Sequence, residues 1–347
     1  MSLALLLVEL SLRVLYPAPI RFFYPQESYD FDPELGHVLR PGQSAHTHDR
    51  SVQTNSLGLR DTEIAAYPAP GTLRVLALGD SQTFGNGLDL SETWPKQLER
   101  MLRGLKNGQR WEVINGGIPG TDTWQHEILL GRFLDTVHPN AVILAFYVND
   151  VAPRYDPHNV NPSGLTNSQS KRFVYILKRS ALVTWVYYSL LVPRQGRAPG
   201  GKSIEDAVIS GDYNEAAERG WRQVERSLAG MKRRCDAKEV SLLVAILPRR
   251  DQVSGDNPSP AYNARLLAIG EKNRITMLDL LPDLSAEYHH TGASLFIPWD
   301  GHNSGAANQV IAKRLAPVLA SAMTKRSRLE NSLVPLVRFA GPFGAVP

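Results

Sequence analysis

Short apolar runs alternate along this chain with segments whose apolar residues recur at helical spacing. The runs lie at 75–78, 113–114, 141–148, 240–247 and 275–280. The first four are followed directly by Gly, Asn or Pro, the pattern of strands covered on both faces. Between them, Trp94, Leu98, Met101, Leu102 and Leu105 mark one helical stripe, with Ser91 as its expected cap. Further helices are expected over 124–134, over 213–234 with Ala216, Trp221, Val224, Leu228 and Met231 inward, and over 260–272. Past residue 304 the stripe Val310, Ile311, Leu315, Val318 and Leu319 predicts a last one. About five parallel strands joined by helices, with right-handed crossovers, give an α/β fold: a doubly wound, three-layer sandwich.

The flanks read differently. Residues 1–16 are apolar but carry Glu9 and Arg13 and fall short of the roughly 20 residues a bilayer span needs. They have no basic leader and no small-residue cleavage site, so the expectation is a membrane anchor or a docked amphipathic helix rather than a cleavable signal. Residues 17–70 are rich in Pro and predict an extended arm, in which Gly58 makes a turn and Arg60 is structural or faces the crevice. The main domain is expected over 71–323, and 324–347 as a tail. An insertion at 151–212 has loop composition at its ends and an aromatic, apolar stretch at 173–192, the candidate lid.

Composition changes this picture little. Of 347 residues, 43% are hydrophobic and 21% charged, as in a folded protein, and a net charge of +4 with no nucleic-acid motif excludes nucleic acid as an expected partner. One cysteine, Cys235, excludes an internal disulfide; its basic neighbours favour a lowered pKa, but a helix-end cysteine is ordinarily inert.

Candidate chemistry collects where apolar runs end. The first run passes into Gly79-Asp80-Ser81, which puts Ser81 on a tight turn at the carboxyl end of a strand, the candidate nucleophile. After the second run comes a glycine-rich turn in which Gly120 offers a bare N–H to a developing negative charge. The third ends in Asn149, whose amide can donate into the same crevice. Asp300-Gly301-His302 before the last helix supplies an acid and a base, and in an extended segment positions i and i+2 point the same way. Ser81 lacks the Gly-x-Ser-x-Gly elbow, and no phosphate-binding or dinucleotide glycine pattern occurs. His126, His138, His289 and His290 have no metal-ligand spacing, so no metal and no cofactor is expected.

Taken in order, these blocks resemble the SGNH hydrolases, the GDSL-type esterases and acyltransferases, over roughly residues 72–323. The resemblance implies a flavodoxin-like strand order, a catalytic set of Ser81, Asp300 and His302, and an oxyanion hole of Ser81, Gly120 and Asn149. One departure stands out: the family more often separates its Asp and His by two residues, and here one residue lies between them. The implied activity is cleavage or transfer of an acyl group through an acyl-enzyme on Ser81, with a small-molecule, glycan or lipid ester as substrate. The alternatives are a polysaccharide or lipid O-acyltransferase and a catalytically degenerate carbohydrate-binding member. Anchored relatives point to the cell envelope, with membrane association through residues 1–16 and an extracytoplasmic domain; the other location is cytoplasmic.

Overall fold

The computed structural model describes residues 3–15, 24–105, 108–151, 180–186, 203–291, 294–297 and 300–333. In chain order the strands are β1 (Tyr29–Asp32), β2 (Gly36–Leu39), β3 (Ser44–Thr47), β4 (Arg50–Gln53), β5 (Thr72–Gly79), β6 (Arg110–Gly117), β7 (Ala141–Phe146), β8 (Ser241–Ile246) and β9 (Thr276–Asp279). The described helices are α1 (Leu3–Leu15), α2 (Ser81–Phe84), α3 (Trp94–Arg103), α4 (Thr123–Val137), α5 (Ala181–Val186), α6 (Ile204–Ser210), α7 (Glu215–Ala237), α8 (Arg250–Ser254), α9 (Ala261–Asn273), α10 (Leu281–Thr291) and α11 (Gly305–Leu333).

Strands β5 to β9 form one parallel sheet in the order β6-β5-β7-β8-β9, the flavodoxin-like order, with each of the five expected apolar runs supplying one strand. Side chains alternate across it. Leu76, Leu78, Val142, Leu144, Phe146, Val244 and Ile246 pack on one face against α4 and α7. Val75, Ala77, Ile143, Ala145, Leu243 and Ala245 pack on the other against α3 and α11. Three layers follow, and all strand carboxyl ends open at one edge.

Local details depart from expectation. Helix α3 begins at Trp94, with Pro in its first turn, and stops at Arg103, leaving Leu105 exposed. The capping box belongs to the preceding 3-10 turn, where Asp89 and Glu92 satisfy each other's backbone N–H groups, so Ser91 is not the cap. In α7 the residue buried at the first turn is Ala217 rather than Ala216. Helix α11 continues to Leu333, past the expected end of the domain.

The stretch expected to run as an extended arm is instead paired and packed. β1–β2 and β3–β4 are two antiparallel hairpins. Leu35, Leu39, Val52 and Leu59 are essentially fully buried in the same apolar cluster as one face of the sheet. Gly58 does make the expected turn: its φ is +75°, and a Cβ there would lie 2.6 Å from the Leu39 carbonyl oxygen.

Helix α1, at 13 residues, leaves Leu3, Leu7, Leu10, Val14 and Leu15 exposed. No helix among the described residues is long and apolar enough to cross a membrane. Its Glu9 carboxylate accepts from the N–H groups of Ala181 and Leu182 at 2.8 and 3.0 Å and from Ser180 Oγ at 2.8 Å. Burial raises the Glu9 pKa, but these donors together with Arg13 outweigh it and hold the pKa at about 2. Apart from residues 180–186, the candidate lid at 173–192 lies outside the described residues.

Candidate active site

At the end of β5, Gly79 has φ +152°, and a Cβ there would stand 2.2 Å from Thr83 Oγ1 and 3.0 Å from the Ala145 oxygen. Only a bare backbone lets the chain turn from strand into α2 this tightly. Asp80 caps that turn, accepting the Gln82 N–H at 2.9 Å, and Ser81 becomes the first helical residue, half-buried at the open edge of the sheet.

The second block is pressed against the first. The Ile118 N–H donates to the Gly79 oxygen at 3.0 Å, and a Cβ on Gly117 would come within 2.2 Å of Phe84 N. Gly120 follows in the same turn with φ +78°, a conformation glycine adopts freely. Asn149, only 6% exposed, sits in a 3-10 turn after β7 and donates from Nδ2 to Asp80 Oδ2 at 2.9 Å.

The last block folds back as a small turn. Phe296 bridges Asn303, and the Ile297 N–H donates to the His302 oxygen at 2.8 Å. Gln82 Oε1 accepts the Asn303 N–H at 3.0 Å, tying this turn to the helix that carries Ser81. His302 Nε2 lies 2.8 Å from Ser81 Oγ, and its Nδ1 lies 2.8 Å from Asp300 Oδ1. With the proton on Nδ1, Nε2 is left to accept from the serine hydroxyl.

Asp300 and His302 approach each other through a bend rather than along an extended segment, because Gly301 has φ +78°. The short spacing has a geometric consequence. Although the two side chains are in contact, neither His302 Nδ1 nor Asp300 Oδ2, both buried, has a partner with hydrogen-bond geometry. Burial raises the Asp300 pKa, but the His302 imidazole, with His48 beyond it, prevails and holds the carboxyl below its usual range. Residues 298 and 299 of this block lie outside the described residues.

Next to Asn149 in the chain, Asp150 is buried, and burial with the charges of Asp80 and Asp122 pushes its pKa well above the usual carboxylate range. Its oxygen is 3.7 Å from Nδ1 of His126, a histidine that burial lowers to about 3 and whose Nε2 meets Thr121 Oγ1 at 2.9 Å. Burial thus favours the neutral form of both partners. His138 ends α4 and stacks on Tyr67, and His289 and His290 lie in the last turn of α10. No group of three or more His, Cys, Asp or Glu side chains among the described residues is placed to hold a metal ion.

Residues 77–310 match the model of the GDSL-like lipase/acylhydrolase family. The chain belongs to that family. The match begins inside β5 and ends in α11, so it takes in all five blocks of the sheet and every candidate site residue. An arylesterase of Vibrio mimicus is 33% identical to the GDSL-family chain over 84 residues, 24% of this chain, which thus spans 41% of that relative's length. Among solved structures, the psychrotrophic esterase EstA from Pseudoalteromonas sp. is similar at 13% identity and a TM-score of 0.43, covering 72% of this chain and 98% of its own. A lipase/acylhydrolase from Enterococcus faecalis is similar at 14% identity and a TM-score of 0.42, covering 72% and 97%.

Three residues of this GDSL-family chain share the site without having been expected there. Asp80 and Gln82 flank the serine, so Asp-Ser-Gln was a readable capping pattern. His48, whose Nε2 is 3.5 Å from Asp300 Oδ2, left no such signal.

Proposed function

We propose that the protein is a serine esterase that hydrolyses small-molecule esters. Ser81 attacks the ester carbonyl while His302 Nε2 accepts its proton. His302 then returns the proton to the departing alcohol, leaving an acyl group on Ser81. Water attacks that ester by the same path in reverse, and the carboxylic acid leaves. Asp300 orients the imidazole and balances its charge. The oxyanion is held by the N–H groups of Ser81 and Gly120 and by the amide of Asn149.

The observation that carries this reading is the 2.8 Å contact from Ser81 Oγ to His302 Nε2, with a carboxylate 2.8 Å from the other ring nitrogen. The family description and the arylesterase relative name the same reaction, which favours water over a sugar as acceptor. Attachment to a lipid surface through the exposed leucines of α1 belongs to the same proposal, and flotation of the protein with anionic liposomes tests it.

The test of the reaction is hydrolysis of p-nitrophenyl esters from acetyl to decanoyl. Ser81→Ala should abolish turnover. Asn149→Ala should lower kcat by about 100- to 1,000-fold with folding intact, the usual cost of losing one oxyanion donor. A Ser81→Ala protein that still turns over esters at the wild-type rate sinks the assignment.

A further inference from the structure

Four observations converge on the turn between β3 and β4. First, Asp300 Oδ2 is buried and has no partner with hydrogen-bond geometry, while His48 Nε2 stands 3.5 Å from it. Second, His48 itself is held in place from both sides of its backbone. Its N–H donates to Gln26 Oε1 at 2.6 Å, and its carbonyl accepts from Gln26 Nε2 at 2.7 Å. Third, His48 has φ +54°, a left-handed backbone that a non-glycine residue adopts only when its surroundings impose it. Fourth, the loop after the nucleophile is shaped around its ring. Gly87 has φ +70°, and a Cβ there would lie 2.4 Å from His48 Nδ1.

The hairpin is stitched to that same loop. Thr47 Oγ1 donates to Asn86 Oδ1 and accepts from the Gly87 N–H, both at 3.2 Å, and Arg50 pairs with Asp89 at 2.9 Å. A backbone so anchored keeps the His48 ring against the loop that follows Ser81.

We propose that His48 is a positioning residue of the catalytic centre, its Nε2–H holding Oδ2 of Asp300 so that Oδ1 stays aligned on His302. The proposal rests on the serine-esterase reading. It gives a physical reason for the one-residue spacing: a carboxylate that cannot meet its histidine squarely through so short a bend takes its second anchor from outside the bend. The separation of 3.5 Å is long for a hydrogen bond, as distances between unliganded catalytic groups commonly are. It also makes the β3–β4 hairpin part of the active centre, although the family match starts after it.

The test compares wild type, His48→Asn and His48→Gln in the full chain. Active sites are counted by fluorophosphonate labelling of Ser81, so that kcat is expressed per competent serine. Asn tolerates the left-handed backbone but is too short to reach Asp300, so the fold is retained while Oδ2 goes without its donor. The expected result for His48→Asn is a kcat roughly 10- to 100-fold lower with KM little changed, the effect of misplacing a group that does not touch substrate. Gln, long enough to donate to Oδ2, should recover part of it.

An unchanged kcat in His48→Asn, or a change confined to KM or to the count of competent serines, overturns the assignment of His48. Wild-type protein that fails to label at Ser81 overturns the esterase reading, and His48 falls with it. The two failures are therefore told apart by the wild-type labelling.

Discussion

Arg60 offers the sharpest test of how the amino-terminal hairpins support the site. Its side chain is fully buried and, among the described residues, no carboxylate stands at salt-bridge distance, so backbone carbonyls carry its charge. Nη1 donates to the oxygens of Phe84 and Gly85 at 2.9 and 2.8 Å, and Nη2 to those of Ser51 and Leu88 at 3.1 and 2.6 Å. The guanidinium also lies 4.9 Å from the centre of the Phe84 ring. Burial lowers its pKa to about 10, with Glu27 and Asp89 opposing, so it is still a cation at neutral pH.

Three of its four acceptors belong to the chain that leaves Ser81. Arg60→Ala takes a donor from four carbonyls; Gly85 keeps the Leu88 N–H and Phe84 the Asn115 amide, so Ser51 and Leu88 are stranded at about 1 to 3 kcal/mol each if they stay dry, and the cavity left is partly filled by water. The expected loss is about 4 kcal/mol. Arg60→Lys keeps the charge but not the planar fork that meets four oxygens at once, and about 2 kcal/mol is expected. Urea midpoints at constant m-value measure both, with ester turnover measured alongside. Turnover should fall in Arg60→Ala even well below the unfolding midpoint, because the 84–88 loop sets where Ser81 stands. An Arg60→Ala protein within about 1 kcal/mol of wild type and fully active would refute the argument that this guanidinium holds the loop.

Three other outcomes are expected. Gly117→Ala should cost about 1 to 3 kcal/mol and lower turnover, since the new Cβ would meet Phe84 N at 2.2 Å and the Thr83 carbonyl carbon at 2.7 Å, backbone atoms that must shift with α2; unfolding midpoints and kcat measure it. Asp150 has a raised folded pKa, so its contribution is fully present below the unfolded carboxylate pKa and is lost as pH rises from there towards the folded value. Asp150→Asn should therefore gain stability relative to wild type between pH 5 and pH 8, and parallel pH-stability curves for the two would contradict the buried proton. Cys235 is fully buried and burial pushes its thiol up to about 12, so mass spectrometry should find it unalkylated by iodoacetamide at pH 8 until the protein is unfolded.

The parts of the molecule that were readable are those whose environment is set locally. A strand of a parallel sheet is buried on both faces, so 141–148 and 240–247 read as strands, and the first is followed at once by Asn149, a candidate site residue. The hairpins were harder for a corresponding reason. Their strands are four residues long and interleaved with Pro, Gly and charged side chains, so no period-2 pattern persists long enough to stand out. Their fold comes from what they rest on: Leu35, Leu39 and Val52 find an apolar cluster built by strands and helices distant in the chain. His48 is the extreme case. Nothing near it in sequence marks a catalytic neighbour, and its approach to Asp300 exists only once the sheet has brought both to one edge. The Asp300-Gly301-His302 segment shows a subtler failure, since the expected proximity is present but arises from a left-handed glycine instead of an extended pair.

On the proposed mechanism, Asp80 orients the oxyanion donor Asn149 without using up its amide. One of its oxygens caps α2 through the Gln82 N–H, and the other accepts from Asn149 Nδ2, so a single carboxylate joins the nucleophile's helix to the turn after β7. An amide nitrogen carries two hydrogens. Asp80 takes one, which fixes the plane of the Asn149 side chain, and on the proposed mechanism the second is the donor for the oxyanion. The same interaction polarises Asn149 unfavourably, because a carboxylate so near the developing negative charge works against it. Burial of Asp150 is the compensating feature: desolvation, with Asp80 and Asp122 close by, raises its pKa and so disfavours a further negative charge that would add to that opposition. Pre-oriented donors stabilise an oxyanion far better than mobile ones, and on the proposed mechanism the orientation comes from Asp80 while burial favours the neutral form of Asp150.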